Sequence, residues 1–305
     1  MSARSFAFLV NPASGGGAAP GAVVPVARAL REAGADVEVT YSPGPAAMAQ
    51  LVADAVAAGR VVVSVGGDGM LASLAGPVAA AGGTLALVPA GRGNDFARML
   101  GIPDDAEGQA RVLLTGAPRP VDLISWQLPG APERLVAGSV YAGVDARAAE
   151  IVDGAHRLPK ATQYPYAALR ALATYRPARA RVVVDGEAHE VAASNIVLAN
   201  SAFYGKGMKV APGAVVDDGL LEVILIEASS KLTLIRALPT IYGGEHVHRP
   251  EVTVLRGRRI EVHADGARGP VPVGGDGESL GHLPARDAAP AVAEVRPGAL
   301  TVLLP

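Results

Sequence analysis

Apolar residues recur along the chain in two textures, and the change comes near Pro118. Before it, short apolar runs alternate with helical patterns. Residues 4–10 (RSFAFLV) form a run that Asn11-Pro12 stops, which predicts a buried strand. Val23, Val26, Ala27 and Leu30 then share one face of a helix ended by Gly34. Residues 36–41 alternate as a second strand, and 45–58 read as a helix ending at Gly59. Residues 60–65 (RVVVSV) are a third strand, 70–81 a third helix and 84–88 a fourth strand. Repeated strand–helix units predict a parallel sheet with flanking helices.

After Pro118 the apolar segments are short and rich in Val. They cover 119–127, 134–141, 179–185, 191–199, 220–227, 252–255, 258–263 and 291–296, with Gly, Pro or Asp between them. This spacing predicts a mainly antiparallel β-sandwich. One helical stretch, about 160–174, interrupts it, and Leu300–Leu304 forms a last short strand. The expected division is an α/β domain over 1–122 and a β-sandwich domain over 123–286. The segment 287–305 is free to return to the first domain.

Composition narrows the function classes. A length of 305 residues fits two domains. Lys and Arg number 27 against 29 Asp and Glu, so the balance of −2 lacks the basic footprint of a nucleic-acid binder. Cysteine is absent, which excludes disulfides, thiolate metal sites and a Cys nucleophile, and fits a reducing cytosol. His246-Val247-His248 is the one close His pair and reads as an ordinary surface pair, not a metal site. The first apolar run is too short for a signal peptide, and no stretch reaches the ~18 apolar residues that span a bilayer. A soluble, cytoplasmic protein is expected, with any membrane contact peripheral.

Three unusual loops fall where strands end: Asn11 to Gly17 (NPASGGG), Gly66 to Met70 (GGDGM) and Pro89 to Asp95 (PAGRGND). Ligands of open α/β sheets bind beyond the carboxyl ends of the strands. Glycine lets the backbone approach a phosphate, and the N–H groups of a following helix face the anion. An Asp in such a loop makes sense beside a divalent cation or as a helix cap. The P-loop consensus is missing, and no GxGxxG follows the first strand.

NPASGG, GGDG and PAGRGNDFAR, in this order, resemble the diacylglycerol kinase catalytic-domain family, which shares its GGDG loop with NAD kinases. The resemblance continues through Asn200 to Val223 (NSAFYGKGMKVAPGAVVDDGLLEV) and Gly275-Asp276-Gly277-Glu278. It implies an ATP- and Mg2+-dependent lipid kinase, with nucleotide between an α/β nucleotide-binding domain and a β-sandwich lipid-substrate domain. Asn11, Pro12, Ser14, Gly15 and Thr40 would line the ATP site. Gly66, Gly67, Asp68, Gly69 and Met70 would hold the phosphates, Asp68 also being linked to magnesium. Arg92, Asn94 and Asp95 would continue that wall. Asp218, with the carbonyls of Val215 and Leu220, would organise a divalent ion. Asp122 would support the domain junction.

Asp276 is the candidate general base, since phosphoryl transfer to an alcohol needs a carboxylate to accept the hydroxyl proton. Glu278 would share its face or orient it. Val184-Asp185-Gly186-Glu187 is a second Asp-Gly-Glu, explained by a hairpin turn, and the order of motifs selects Asp276. The chain departs from the family at Met70 and Arg92, where hydroxyl residues are usual, and at Lys206 in Tyr204-Gly205-Lys206-Gly207. The expected partner is a lipid substrate at the membrane surface, diacylglycerol foremost. No nucleic acid is expected, and a homodimer is compatible. Residues 156–179 mix Arg and Lys with Tyr and Leu and are the candidate membrane-contact segment. An NAD kinase-like activity and a non-catalytic binder are the alternatives.

Overall fold

The computed structural model describes residues 4–12, 14–42, 44, 47–154, 163, 166, 167, 170, 171, 173, 174, 176–267 and 269–305. The chain divides into two compact units. The first comprises Met1–Leu123, Phe203–Gly207 and Arg296–Pro305, and the second Ile124–Ala202 and Met208–Val295.

In the first unit, β1 (Ser5–Val10), β2 (Asp36–Tyr41), β3 (Val61–Gly66) and β4 (Thr84–Pro89) are all parallel, in the order β4-β3-β1-β2. Strand residues point alternately to the two faces. Phe6, Phe8, Val10, Val63, Val65, Ala86 and Val88 pack with Val23, Val26, Ala27 and Leu30 of α1 (Ala19–Glu32) and Leu113 of α5 (Ala106–Thr115). α2 (Met48–Ala57) and α3 (Asp68–Ala80) pack on each other and on β3. Short α4 (Asp95–Met99) follows the loop after β4. The apolar stripe of α1 was readable because Pro20 starts that helix and its buried positions recur every three or four residues.

The second unit is an antiparallel β-sandwich. Its strands are the last part of β5 (Ala117–Gln127), β6 (Arg134–Val136), β7 (Ser139–Gly143), β8 (Ala178–Val184), β9 (Glu187–Ala199), β10 (Leu221–Glu227), β11 (Val252–Gly257), β12 (Arg259–Asp265), β13 (Pro272–Gly275), β14 (Glu278–His282) and the start of β15 (Ala291–Leu304). β9 holds it together, pairing with β8 along its first half and with β7 and β10 along its second. Trp126, Val140, Val182, Leu198, Val223, Val262 and Val273 meet in its core.

Four expectations need correction. The run 134–141 is two strands, because the backbone of Gly138 turns aside to bond Asp276, Asn200 and Ser201. The runs 291–296 and 300–304 are one strand, β15, whose last part pairs in parallel with β4 at Thr301 and Val302. More than one helix interrupts the sandwich: α6 (Val144–Gly154) and α7 (Lys231–Gly243) are both present. The α7 segment carries a weak sequence signal because its exposed face is also apolar, so it lacks the usual amphipathic contrast. His246 is no surface residue. It is buried with Nε2 on the Val210 carbonyl, and burial holds its imidazole below the ordinary histidine range. Most of the expected helix at 160–174 lies outside the described residues.

Candidate active site

The three glycine loops converge. β1, β3 and β4 are neighbours, so their carboxyl ends open on one edge of the first sheet. The loops touch through missing side chains. A Cβ on Gly15, which has φ 63°, would lie 2.2 Å from the Ala90 carbonyl oxygen. One on Gly66 would lie 2.9 Å from Ser14 Oγ. One on Gly91 would lie 2.3 Å from Gly67 Cα. GGDG and GRGND are thus in backbone contact, and only glycine permits it.

Asp68 joins the same two loops chemically. Its Oδ1 accepts from the backbone N–H of Asp95 at 2.8 Å and Phe96 at 3.4 Å. It therefore caps α4, whose own N-cap Asn94 uses its side chain elsewhere, accepting from Gly91 N at 2.9 Å. Asn94 is in the left-handed region at φ 55°, which Asn tolerates. Burial pushes the Asp68 carboxyl above its ordinary value, and the Asp95 carboxylate adds to this, while N–H bonds from Phe96, Asp95 and Asn94 pull it down. Asp95 is buried and accepts from Lys206 N at 2.8 Å and Gly207 N at 2.6 Å, so it anchors the segment Phe203–Gly207. Ser64, Gly66, Gly67, Asp68, Leu71, Leu87, Pro89, Asn94 and Ala97 line a small depression there.

The other residues assigned to the nucleotide are placed around this centre. The backbone N–H of Asn11 bonds the Val65 carbonyl at 3.3 Å, and its carbonyl accepts from Ser14 N. Pro12 and Gly69 are exposed. Thr40 is half-buried on β2 beside Leu9. Arg92 is exposed with its guanidinium over Gly16, where a Cβ would meet Nη2 at 3.5 Å. Met70 points inward and is buried, so its side chain fills the core under the loop. Asp122 is buried and accepts from Gly298 N at 2.7 Å.

These contacts give a paired expectation. Gly91→Ala would force GGDG and GRGND apart and cost roughly 1–3 kcal/mol, as overpacking does. Gly69→Ala, which meets no atom within 4 Å, would leave stability within ~0.5 kcal/mol. Urea denaturation of both variants checks the contrast.

In the second unit, Asp276-Gly277 is the two-residue turn joining β13 and β14, with φ 48° and 85°. These are the positive angles of a type I′ hairpin. The Asp276 carboxylate accepts from Ala137 N at 2.7 Å, Gly138 N at 2.9 Å and Ser139 N at 3.1 Å. The donor loop is gripped from behind, since Asn200 N and Ser201 N both donate to the Gly138 carbonyl and Asn200 Nδ2 to the Ala137 carbonyl. A Cβ on Gly138 would lie 2.6 Å from Asp276 Oδ1. Glu278 opens β14, is exposed and pairs with Arg134 at 3.3 Å.

The second Asp-Gly-Glu is built the same way. Asp185-Gly186 turns between β8 and β9 at φ 48° and 93°, and Asp185 accepts from Arg258 N and Arg259 N. Asp185 is exposed and Asp276 half-buried, but local geometry alone does not separate them.

Asp218 accepts from Leu220 N at 3.0 Å and is ion-paired with Arg256, while Val215 is exposed. Glu222, which the sequence reading missed, stands opposite Arg256 across β10 and β11. It is buried with Oε2 unpartnered, and burial pushes its carboxyl up. An acid inside the apolar run LEVILI was the available signal. Among the described residues, no three His, Asp or Glu side chains converge as a metal-binding group.

Two domain families match what the fold and these loops define. Residues 5–126 match the diacylglycerol kinase catalytic domain, and residues 138–304 match the YegS C-terminal NAD kinase beta sandwich-like domain. The chain belongs to the diacylglycerol kinase family of lipid kinases and is a phosphotransferase with an alcohol acceptor. Among its relatives, the diacylglycerol kinase of Mycobacterium tuberculosis is 32% identical over 303 residues, covering 97% of this chain and 94% of that protein. The diacylglycerol kinase of Bacillus subtilis is 25% identical, covering 73% of each. The crystal structure of a diacylglycerol kinase from Bacillus anthracis shares the fold, with TM-score 0.69, 17% identity, and coverage of 100% of this chain and 98% of that one.

Proposed function

We propose that this enzyme transfers the γ-phosphoryl group of ATP to the free hydroxyl of diacylglycerol, giving phosphatidate and ADP, with Mg2+ as the metal. The observation that carries the reading is the Gly67–Gly91 backbone contact, which sets Asp68 at the edge where phosphate-binding loops of α/β sheets lie. The acceptor is taken from the relatives in M. tuberculosis and B. subtilis, both named diacylglycerol kinase.

Each group has a task. The Gly66–Gly69 backbone at the start of α3 receives the phosphates, where the helix N-terminus favours an anion. Asp68 fits a cation, because its carboxylate lies in a desolvated setting beside that of Asp95, where a positive ion would offset both charges. A bound Mg2+ would offset charge on the phosphate oxygens. Asp218 fits less well as a direct ligand, since Arg256 already neutralises it. Asp276 accepts the hydroxyl proton as the acceptor oxygen bonds to γ-phosphorus and the bond to the β-phosphate oxygen breaks. The three backbone donors fix that carboxylate in advance.

Incubation with ATP, Mg2+ and a panel of diacylglycerol, phosphatidylglycerol, ceramide and sphingosine in mixed micelles, with products identified by mass spectrometry, tests this. Phosphatidate should dominate. A different phosphorylated lipid would replace the acceptor, and formation of NADP from NAD with no lipid product would overturn the reading.

A further inference from the structure

Helix α7 buries none of its thirteen residues. It is well formed: Ser230 caps it by accepting from Thr233 N, and Gly244, at φ 83°, ends it. Its half-buried residues, Thr233, Leu234, Ala237, Thr240 and Ile241, share one side. Its exposed residues include Lys231, Leu232, Ile235, Arg236, Leu238, Pro239 and Tyr242, which fill an arc of about 160° on a 3.6-residue wheel. A water-facing helix carries polar residues on that arc. Here Leu232 is 55% exposed, Ile235 43%, Leu238 39% and Tyr242 59%.

The charges on this arc have one sign. Lys231 and Arg236 are exposed, and the helix contains no Asp or Glu. Lys231 Nζ also donates to the Ala173 carbonyl. The nearest acids in sequence are Glu227 before the helix and Glu245 after it. At 1.5 Å per residue the helix is about 20 Å long, so a ~10 Å wide stripe offers on the order of 200 Å². A stable dimer needs about 800 Å² from each partner, so this stripe alone is too small for a second copy. A bilayer surface demands no shape complementarity. It takes an apolar arc with basic residues and an aromatic whose ring sits at headgroup level, as Tyr242 can.

We propose that α7 is a membrane-docking helix. Leu232, Ile235, Leu238 and Tyr242 enter the interface of an anionic bilayer, and Lys231 and Arg236 face its phosphates. This places docking on α7, distinct from the segment 156–179, most of which lies outside the described residues. The purpose of the contact rests on the lipid-kinase reading, but the contact itself is measurable without turnover.

Sedimentation with phosphatidylcholine vesicles, with and without about 30% phosphatidylglycerol, tests it. Wild type should partition onto the anionic vesicles. Ile235→Ser with Leu238→Ser should lower that partition about tenfold, equivalent to ~1.4 kcal/mol. Lys231→Gln with Arg236→Gln should remove the preference for phosphatidylglycerol. Both pairs should keep the wild-type melting temperature and the rate on a dispersed short-chain diacylglycerol. Equal partition of wild type and the serine variant, or no wild-type binding, overturns the proposal. So does a serine variant that changes only from dimer to monomer. Altered vesicle binding in a protein that phosphorylates no lipid supports docking and removes the kinase reading instead.

Discussion

Asp276→Asn should lower kcat by roughly 100- to 10,000-fold, the range general-base catalysis commands. The substitution suits the backbone, because Asn accepts the φ of 48° at this turn. It does not suit the three donors equally. Oδ1 can still receive Gly138 N and Ser139 N, but an amide nitrogen would then face Ala137 N. One lost acceptor costs about 1–3 kcal/mol, so some stability goes with the activity. Asp185→Asn supplies the control. It alters an identical turn, also loaded with backbone donors, at a site with no catalytic assignment. Urea midpoints should fall in both variants, and kcat only in Asp276→Asn. Equal rates in the two, with both proteins folded, would reduce Asp276 to a structural turn residue.

A second large loss is expected from Asp68→Asn, about 100- to 1,000-fold in kcat, as for removal of a group that stabilises transferring charge. Stability should move the other way. Burial and Asp95 raise the folded-state affinity of Asp68 for its proton. The group then contributes stability that is complete below its unfolded pKa, about 3.9, and is lost as pH rises through the raised folded value. At neutral pH the ionised carboxylate is a net cost, and an amide removes it while its oxygen still caps α4. The melting temperature at pH 7 should therefore hold or rise, and the difference from wild type should shrink on acidification. A melting temperature several degrees lower at pH 7 would show that the cap, not the charge, is what this residue contributes.

The parallel sheet was legible because β1, β3 and β4 are near-continuous apolar runs, as strands buried on both faces must be, while β2 at the edge alternates. The three loops were legible because glycine and Asn-Pro interrupt those runs abruptly. Distant substitutions of function were not. Nothing near α4 indicates that its cap comes from Asp68, nor that Asp95 serves the backbone of Lys206 and Gly207. Asp276 was selected over Asp185 by motif order alone, and the geometry shows why: both turns are the same hydrogen-bonded device. The break at Gly138 was hidden because apolar residues flank it within the run, Leu135–Ala137 before and Val140–Tyr141 after, and only the tertiary partner Asp276 reveals it. Helix α7 is hard to read for a different reason: apolar residues lie on its exposed arc and on its half-buried side alike, so no single stripe stands out.

The return of β15 to the first sheet bears on how the protein is made. Leu300, Val302 and Leu303 are buried in a unit whose other strands are translated about 200 residues earlier. A nascent chain therefore holds β4 with one side unpaired until the end of β15 has been made. The sandwich takes the start of the same strand, Ala291–Val295, so one late strand completes both units, the sandwich just ahead of the sheet that was begun first.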